Sequence, residues 1–193
     1  MATHPYFATL RIAVLAGNSL MAVPVQADID PNQNPFCTLG QSQKIKQGLA
    51  IAPVPLNLEN KDRKLVGLGS YIVNAQGGCN DCHTNPPYAP GGNPFRGEPE
   101  QINIAGYLAG GQSFGPFVSS NLTPCNNGEP EWTFEDFLRI MRTGVDLEDS
   151  EHPPGNTPLL QVMPWPVFGK MTSCDLRAIY EYLRAIPPQQ CGH

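Results

Sequence analysis

Charge is scarce in this 193-residue chain, at 15% of residues, and the basic kind is the scarcer, 12 against 17 acidic. A surface short of Lys and Arg suits neither nucleic acid nor anionic lipid, so neither is expected as a partner. Long apolar runs are missing too. The best candidate, residues 12–23, is broken by Gly17, Asn18 and Ser19 and is too short to cross a bilayer comfortably. There is no second C-x-x-C pair and no pair of histidines at finger spacing. A structural zinc site would need two such ligand pairs.

Against that background one stretch carries chemistry: Cys79-Asn80-Asp81-Cys82-His83. The pattern C-x-x-C-H reads as a c-type haem attachment site. Thiols three positions apart can each add across one vinyl group of the same macrocycle, and the histidine that follows is placed to ligate the iron. A single such motif implies one covalently attached haem c, held by Cys79, Cys82 and His83. A thioredoxin-like redox pair is the other reading of C-x-x-C, but it should follow a strand in a βαβ unit. Here residues 65–74 read as a helix.

Residues 1–27 read as a cleaved secretory signal: a short start with one positive charge at Arg11, the apolar run, then Val25-Gln26-Ala27 with small or short residues at the cleavage positions. An uncleaved anchor is the alternative. No cysteine lies near the cleavage point, which argues against a lipid anchor. The expected localisation is periplasmic or otherwise exported, with no stable transmembrane span after cleavage. Cleavage removes Arg11 and no acid, leaving 11 basic against 17 acidic residues, a formal charge of −6. With two thiols taken by haem, Cys37, Cys125, Cys174 and Cys191 remain. Thiols in an oxidising compartment tend to pair, and three connectivities are open.

The chain divides into the signal, an arm over residues 28–60, a haem domain over 61–188, and a tail over 189–193. Pro31, Pro35, Pro53 and Pro55 forbid a long helix in the arm. It reads as extended chain on the domain surface, with one helical turn around 42–49. Residues 61–76 carry Leu65, Leu68, Tyr71 and Ile72 at helical spacing, and Gly77-Gly78 ends that helix before the motif. Residues 85–130 are dense in Gly, Pro, Asn and Ser, which is loop chemistry, with a short hairpin or isolated strands near Tyr107–Val118. Residues 132–143 form a second helix, capped by Thr133 and stopped by Gly144. Residues 172–186 form the last, with Thr172 and Asp175 as a capping box and Met171 and Leu176 as its staple. The fold class is all-α: three to four helices around one haem, with long loops.

The iron's sixth position has few candidates. Downstream of the signal there are three histidines, His83, His152 and His193, and three methionines, Met141, Met163 and Met171. His193 is terminal and His152 sits in an acidic loop. Met141 lies on the apolar face of its helix, where methionine is usually filler, and Met171 has its staple role. Met163 stands in an irregular stretch ahead of Pro164, which holds it extended. It is the expected second metal ligand beside His83. A thioether favours Fe(II) and raises the potential, and with both axial positions filled the site suits electron transfer rather than catalysis.

Taken together, the motifs resemble the class I c-type cytochromes, in particular monohaem domains like those in the cytochrome subunits of bacterial alcohol dehydrogenases. The resemblance rests on Gly67-x-x-x-Tyr71, Cys79-x-x-Cys82-His83, Asn121-Leu122-Thr123-Pro124, Trp132-Thr133-x-x-Asp136-Phe137 with Met141-Arg142-x-Gly144, Met163-Pro164-Trp165, and Met171-Thr172-x-x-Asp175-Leu176 with Tyr182-Leu183-Arg184. It covers residues 61–188. It implies the cytochrome c fold, with first and last helices crossing so that Gly67 and Tyr71 meet Ile179 and Tyr182. It also implies that a carbonyl between residues 85 and 94 accepts the His83 ring N–H. The chain departs from the family at Cys125 and Cys174. That departure suggests a Cys125–Cys174 disulfide, with Cys37–Cys191 tying arm to tail and pairing between chains still open. The implied function is single-electron transfer between redox proteins, such as a dehydrogenase, an oxidase or other cytochromes, by a non-enzymatic carrier or subunit. A haem enzyme, or an oligomer assembling haems into an array through the arm and the spare thiols, is the alternative.

Overall fold

The computed structural model describes residues 37–125, 132–147 and 158–189. Its framework is three helices, α1 (Ser42–Ile51), α2 (Arg63–Tyr71) and α6 (Ser173–Leu183), with α2 between the other two. Two glycines set how close they come. A Cβ on Gly67 would press on the Ile45 carbonyl and Leu49 of α1, and one on Gly69 would collide with the Ala178 carbonyl of α6. From the α1 side, a Cβ on Gly48 would collide with the Gly67 carbonyl. Bare backbone therefore meets bare backbone on both faces of α2. The Ser70 hydroxyl, fully buried, donates to the Gly48 carbonyl at 2.7 Å and closes the first contact.

This arrangement corrects two expectations. Residues 42–51 are not a single turn in an extended arm but a ten-residue helix built into the framework. The prolines at 35 and 53 bracket it rather than interrupt it. After it, the Asn57 N–H donates to the Ala185 carbonyl, which holds the chain along the end of α6. The family-implied crossing is also shifted. Gly69, not Gly67, faces α6, while Gly67 faces α1, and Tyr71 lies beneath Lys44, whose ammonium sits 5.8 Å from the ring centre. Residues two apart on a helix point about 200° apart, so the two glycines serve opposite neighbours.

α2 begins at Asp62, whose carboxylate accepts from the Lys64 and Leu65 N–H groups, and buries Leu65, Val66 and Leu68. It then widens into one π-helical turn, Ile72–Gln76. α4 (Phe134–Thr143) starts at Thr133, which accepts from the Asp136 N–H at 3.1 Å, and ends at Gly144 with φ +70°. α6 has the expected capping box of Thr172 and Asp175. α4 lies on α6 through the rings of Phe134 and Phe137 against Tyr180, at 5.4 and 5.7 Å. Arg177 is stacked 4.6 Å over Phe134 and paired with Glu181 at 2.5 Å.

The helices are joined by loops, among them a two-stranded antiparallel hairpin, β1 (Ser113–Phe114) with β2 (Phe117–Val118), in register Ser113 to Val118 and Phe114 to Phe117. The molecule is thus mostly helical but not purely so. The described residues also include the short helices α3 (Asn80–His83) and α5 (Trp165–Phe168) and two 3-10 turns, Pro94–Arg96 and Ile104–Gly106. Among the described residues no helix is long and apolar enough to cross a membrane.

The disulfide in the described region joins Cys37 to Cys174, with Cα atoms 5.2 Å apart. It overturns the suggested Cys125–Cys174 and Cys37–Cys191 pairs. With α1 folded back on α2, the start of the described chain lies beside the first turn of α6. Cys125 is disulfide-bonded as well. The signal segment, His152, Cys191 and His193 lie outside the described residues.

Candidate functional site: an apolar cleft carrying Cys79, Cys82, His83 and Met163

The motif is delivered by the end of α2. The π-helical turn closes with the Gly77 N–H on the Ile72 carbonyl at 2.7 Å, and Gly78 reverses the chain at φ +58°. α3 follows at once. The His83 N–H donates to the Cys79 carbonyl at 2.9 Å, so Cys79, Cys82 and His83 share a single helical turn. Thr84, fully buried, accepts the Leu108 N–H on its hydroxyl at 2.9 Å, and the His83 carbonyl accepts the Gly110 N–H at 2.7 Å. The returning loop is thereby stitched to the motif.

That loop also supplies the histidine's partner. Nδ1 of His83 lies 2.9 Å from the Ser120 carbonyl. This corrects the expectation of a carbonyl from residues 85–94. Gly110, at φ +73°, lies so tightly against Ser119 and Ser120 that a Cβ would collide with them, so the absence of a side chain there lets the two stretches of loop that meet His83 pack together. A carbonyl can only accept, so Nδ1 carries the proton and Nε2 keeps its lone pair as a metal donor. Burial holds the imidazole pKa below its usual value, and the Ser120 carbonyl opposes this only in part. The ring is therefore neutral, with Nε2 available as a donor.

The thiols are protonated. Burial, reinforced by Cys82, pushes Cys79 up to about 12, and burial with the Asp81 carboxylate raises Cys82. Reactive C-x-x-C pairs and thiolate metal sites require the opposite shift. Among the described residues no group of three or more His, Cys, Asp or Glu is placed to hold a metal ion.

Cys79, Cys82 and His83 open on a cleft of about 370 Å³, walled by Ile72, Val73, Phe137 and Leu183 among other apolar side chains. Met163 lies on the same cleft, partly buried against the core. The structure thus brings together the four predicted site residues, which are 84 positions apart along the chain at the extremes. It brings Met141 and Met171 to the cleft as well. Met141 is buried in the core on α4, while Met163 sits on irregular chain and is only partly buried. The donor set of two thiols, a neutral imidazole with a free Nε2, a thioether and a deep apolar cavity fits a covalently held haem. The sequence reading missed Ser120. A main-chain acceptor carries no side-chain signal that could have revealed it.

Comparison with known proteins gives the same direction. Over 136 residues, 70% of the chain, it is 31% identical to the alcohol dehydrogenase (quinone) cytochrome c subunit of Gluconacetobacter polyoxogenes, covering 24% of that protein. The chain is a relative of the c-type cytochromes. The corresponding subunit of Gluconobacter oxydans (strain 621H) is 27% identical over 135 residues, 69% of the chain and 24% of the relative. The gluconate 2-dehydrogenase cytochrome c subunit of Pantoea cypripedii is 31% identical over 119 residues, 61% of the chain and 22% of the relative. The chain spans about a quarter of the length of the curated relatives it matches. No protein-family model matches the chain. No solved structure matches it either.

Proposed function

We propose that this chain is an exported monohaem c-type cytochrome that moves single electrons, as a carrier or as the electron-transfer subunit of a dehydrogenase or respiratory complex. The observation that carries the reading is the convergence of Cys79, Cys82, His83 and Met163 on one apolar cleft. Haem iron, when bound, supplies a one-electron couple. The chain's own residues do the rest. Cys79 and Cys82 anchor the group from one helical turn. His83, oriented by Ser120, would hold the iron through Nε2, and Met163 would offer a soft sulfur as its second donor. The apolar walls would favour the less charged, reduced state of the bound group, and with both His83 and Met163 committed to the iron the site would suit electron transfer rather than catalysis.

Export fits the signal expected over residues 1–27, and the Cys37–Cys174 disulfide supports an oxidising compartment. The array alternative leaned on a free arm and spare thiols. The packing of α1 on α2 and the bonding of Cys37 within the chain weigh against that alternative. Redox partners of the dehydrogenase kind follow from the names of the relatives.

The test is spectroscopic. Purified protein should keep one haem per chain through a denaturing gel, and the oxidised form should show the weak near-infrared thioether–iron band, lost in Met163→Ala. A colourless protein, or one that binds carbon monoxide readily at rest, overturns the proposal. An unchanged band in Met163→Ala moves the ligand to Met141 or Met171.

A further inference from the structure

We infer that the last turn of α4, through Arg142, is the positioning device for the sulfur side of the cleft, and that it acts on Met163 through the backbone that carries it. The inference rests on the reading of Met163 as ligand.

The chain from Leu160 to Met171 has little regular structure of its own, only the four-residue α5. It is nevertheless fastened at its start, middle and end, each time to the same helix terminus. At the start, the Leu160 N–H donates to the Gly144 carbonyl at 2.8 Å. In the middle, the Trp165 indole lies against Gly144 so closely that a Cβ there would collide with the ring. At the end, Nη1 of Arg142 donates to the carbonyls of Gly169 and Met171, the second at 2.7 Å, and Nη2 donates to the Ser173 hydroxyl at 3.3 Å. Gly169 itself sits against the Met141 carbonyl, where a Cβ would come within 2.7 Å. Met163 lies between the first two fastenings, and its own carbonyl accepts the Trp165 N–H at 2.8 Å.

A thioether is a neutral, weak ligand, so competitors gain wherever the loop that carries it spends time away from the iron. Apparent affinity scales with the fraction of time in the competent arrangement. Holding residues 160–171 against α4 in advance raises that fraction. Arg142 suits the task because its planar fork can reach two carbonyls and a hydroxyl together, which an ammonium cannot reproduce. Its removal should leave α4 in place, since Phe134, Phe137 and Met141 bury that helix independently.

The experiment uses the haem-loaded chain and imidazole as competitor, with the near-infrared band as second readout. The variants are Arg142→Gln, Arg142→Lys, Met163→Ala and, as a charge control on the exposed side of the same helix, Arg139→Gln. Arg142→Gln should bind imidazole about tenfold more tightly with a weakened band, at the low end of what outer-shell partners contribute to metal ligation. Arg142→Lys should fall between it and wild type, and Arg139→Gln should match wild type. Wild-type imidazole affinity and band in Arg142→Gln overturn the inference, even if its thermal midpoint drops. If Arg142→Gln does not accumulate with haem, Arg142→Lys decides, and wild-type affinity there overturns it. A band that survives in Met163→Ala instead overturns the reading beneath.

Discussion

The two walls of the cleft are held by different means. The histidine wall is stitched by main chain. The His83 N–H, the His83 carbonyl and Nδ1 each meet a carbonyl or N–H from the motif or the returning loop. The sulfur wall has main-chain ties to the end of α4 only ahead of Met163, from the Leu160 N–H to Gly144 and from the Asp146 N–H to Pro158; beyond Met163 it is held there by the Trp165 ring against Gly144 and by the Arg142 guanidinium, with Leu159, Val162 and Val167 exposed along it. A wall built from backbone bonds tolerates substitution of most side chains around it. A wall hung from a guanidinium depends on that group. Single substitutions should therefore disturb the sulfur ligand more readily than the histidine.

The largest effect that tests this contrast comes from the disulfide, which enters α6 just beyond Met171. Replacing Cys37 and Cys174 together by Ser opens a cross-link across 137 residues and should lower stability by about 4 to 5 kcal/mol in the chain-entropy account. Chemical denaturation measures it. The near-infrared band of the folded fraction should be unchanged, because the α4 fastenings are intact. A lost band would show that the sulfur wall depends on the disulfide too.

Next is Gly69→Ala. A methyl group there meets the Ala178 backbone and approaches Tyr182 Cβ at 2.8 Å, so the α2–α6 contact must open. The loss should be about 3 kcal/mol, as for an overpacked core. Since α2 leads directly into the motif, the damage should fall on the histidine wall, seen as poorer haem attachment rather than as a weaker methionine band.

The smallest effect lies behind Cys79. Tyr107, Tyr182 and Asn74 form a buried cluster, with the Tyr107 hydroxyl donating to Asn74 Oδ1 at 2.5 Å and lying 2.9 Å from the Tyr182 hydroxyl. Burial raises both phenol pKa values above the ordinary 10. Above pH 10 the unfolded chain therefore releases protons that the native state retains. Stability is full below that pH and falls as pH rises, by at most about 1.4 kcal/mol per pH unit for each group. Tyr107→Phe should show a shallower alkaline decline in urea midpoints between pH 9 and 11.

Much of this was legible beforehand because it was written in side chains. Thr133 and Thr172 announced their helices by the acids three residues on. Spacing singled out Cys79, Cys82 and His83, the proline after it singled out Met163, and the four line one cleft. What escaped was written in main chain. The one buried residue of α1 is Gly48, which has no hydrophobic signal to contribute to a periodicity. Its partner, Gly67, is equally silent, so a helix that packs by backbone contact looked like an arm. The Ser120 carbonyl is invisible for the same reason. The pairing of Cys37 with Cys174 depends on where α1 folds back, and spacing does not encode that.

The bridge from Cys37 to Cys174 encloses Cys79 and Cys82 within one covalent ring. During synthesis Cys37 emerges first, Cys79 and Cys82 next, and its rightful partner nearly last. For most of that interval the nearest available sulfurs are the wrong ones. Correct maturation thus demands that the early thiol stay reduced until the final helix has arrived, or that its premature bonds be exchanged. Once the ring is closed, a protease cut at any exposed loop inside it releases no fragment until the bridge is reduced.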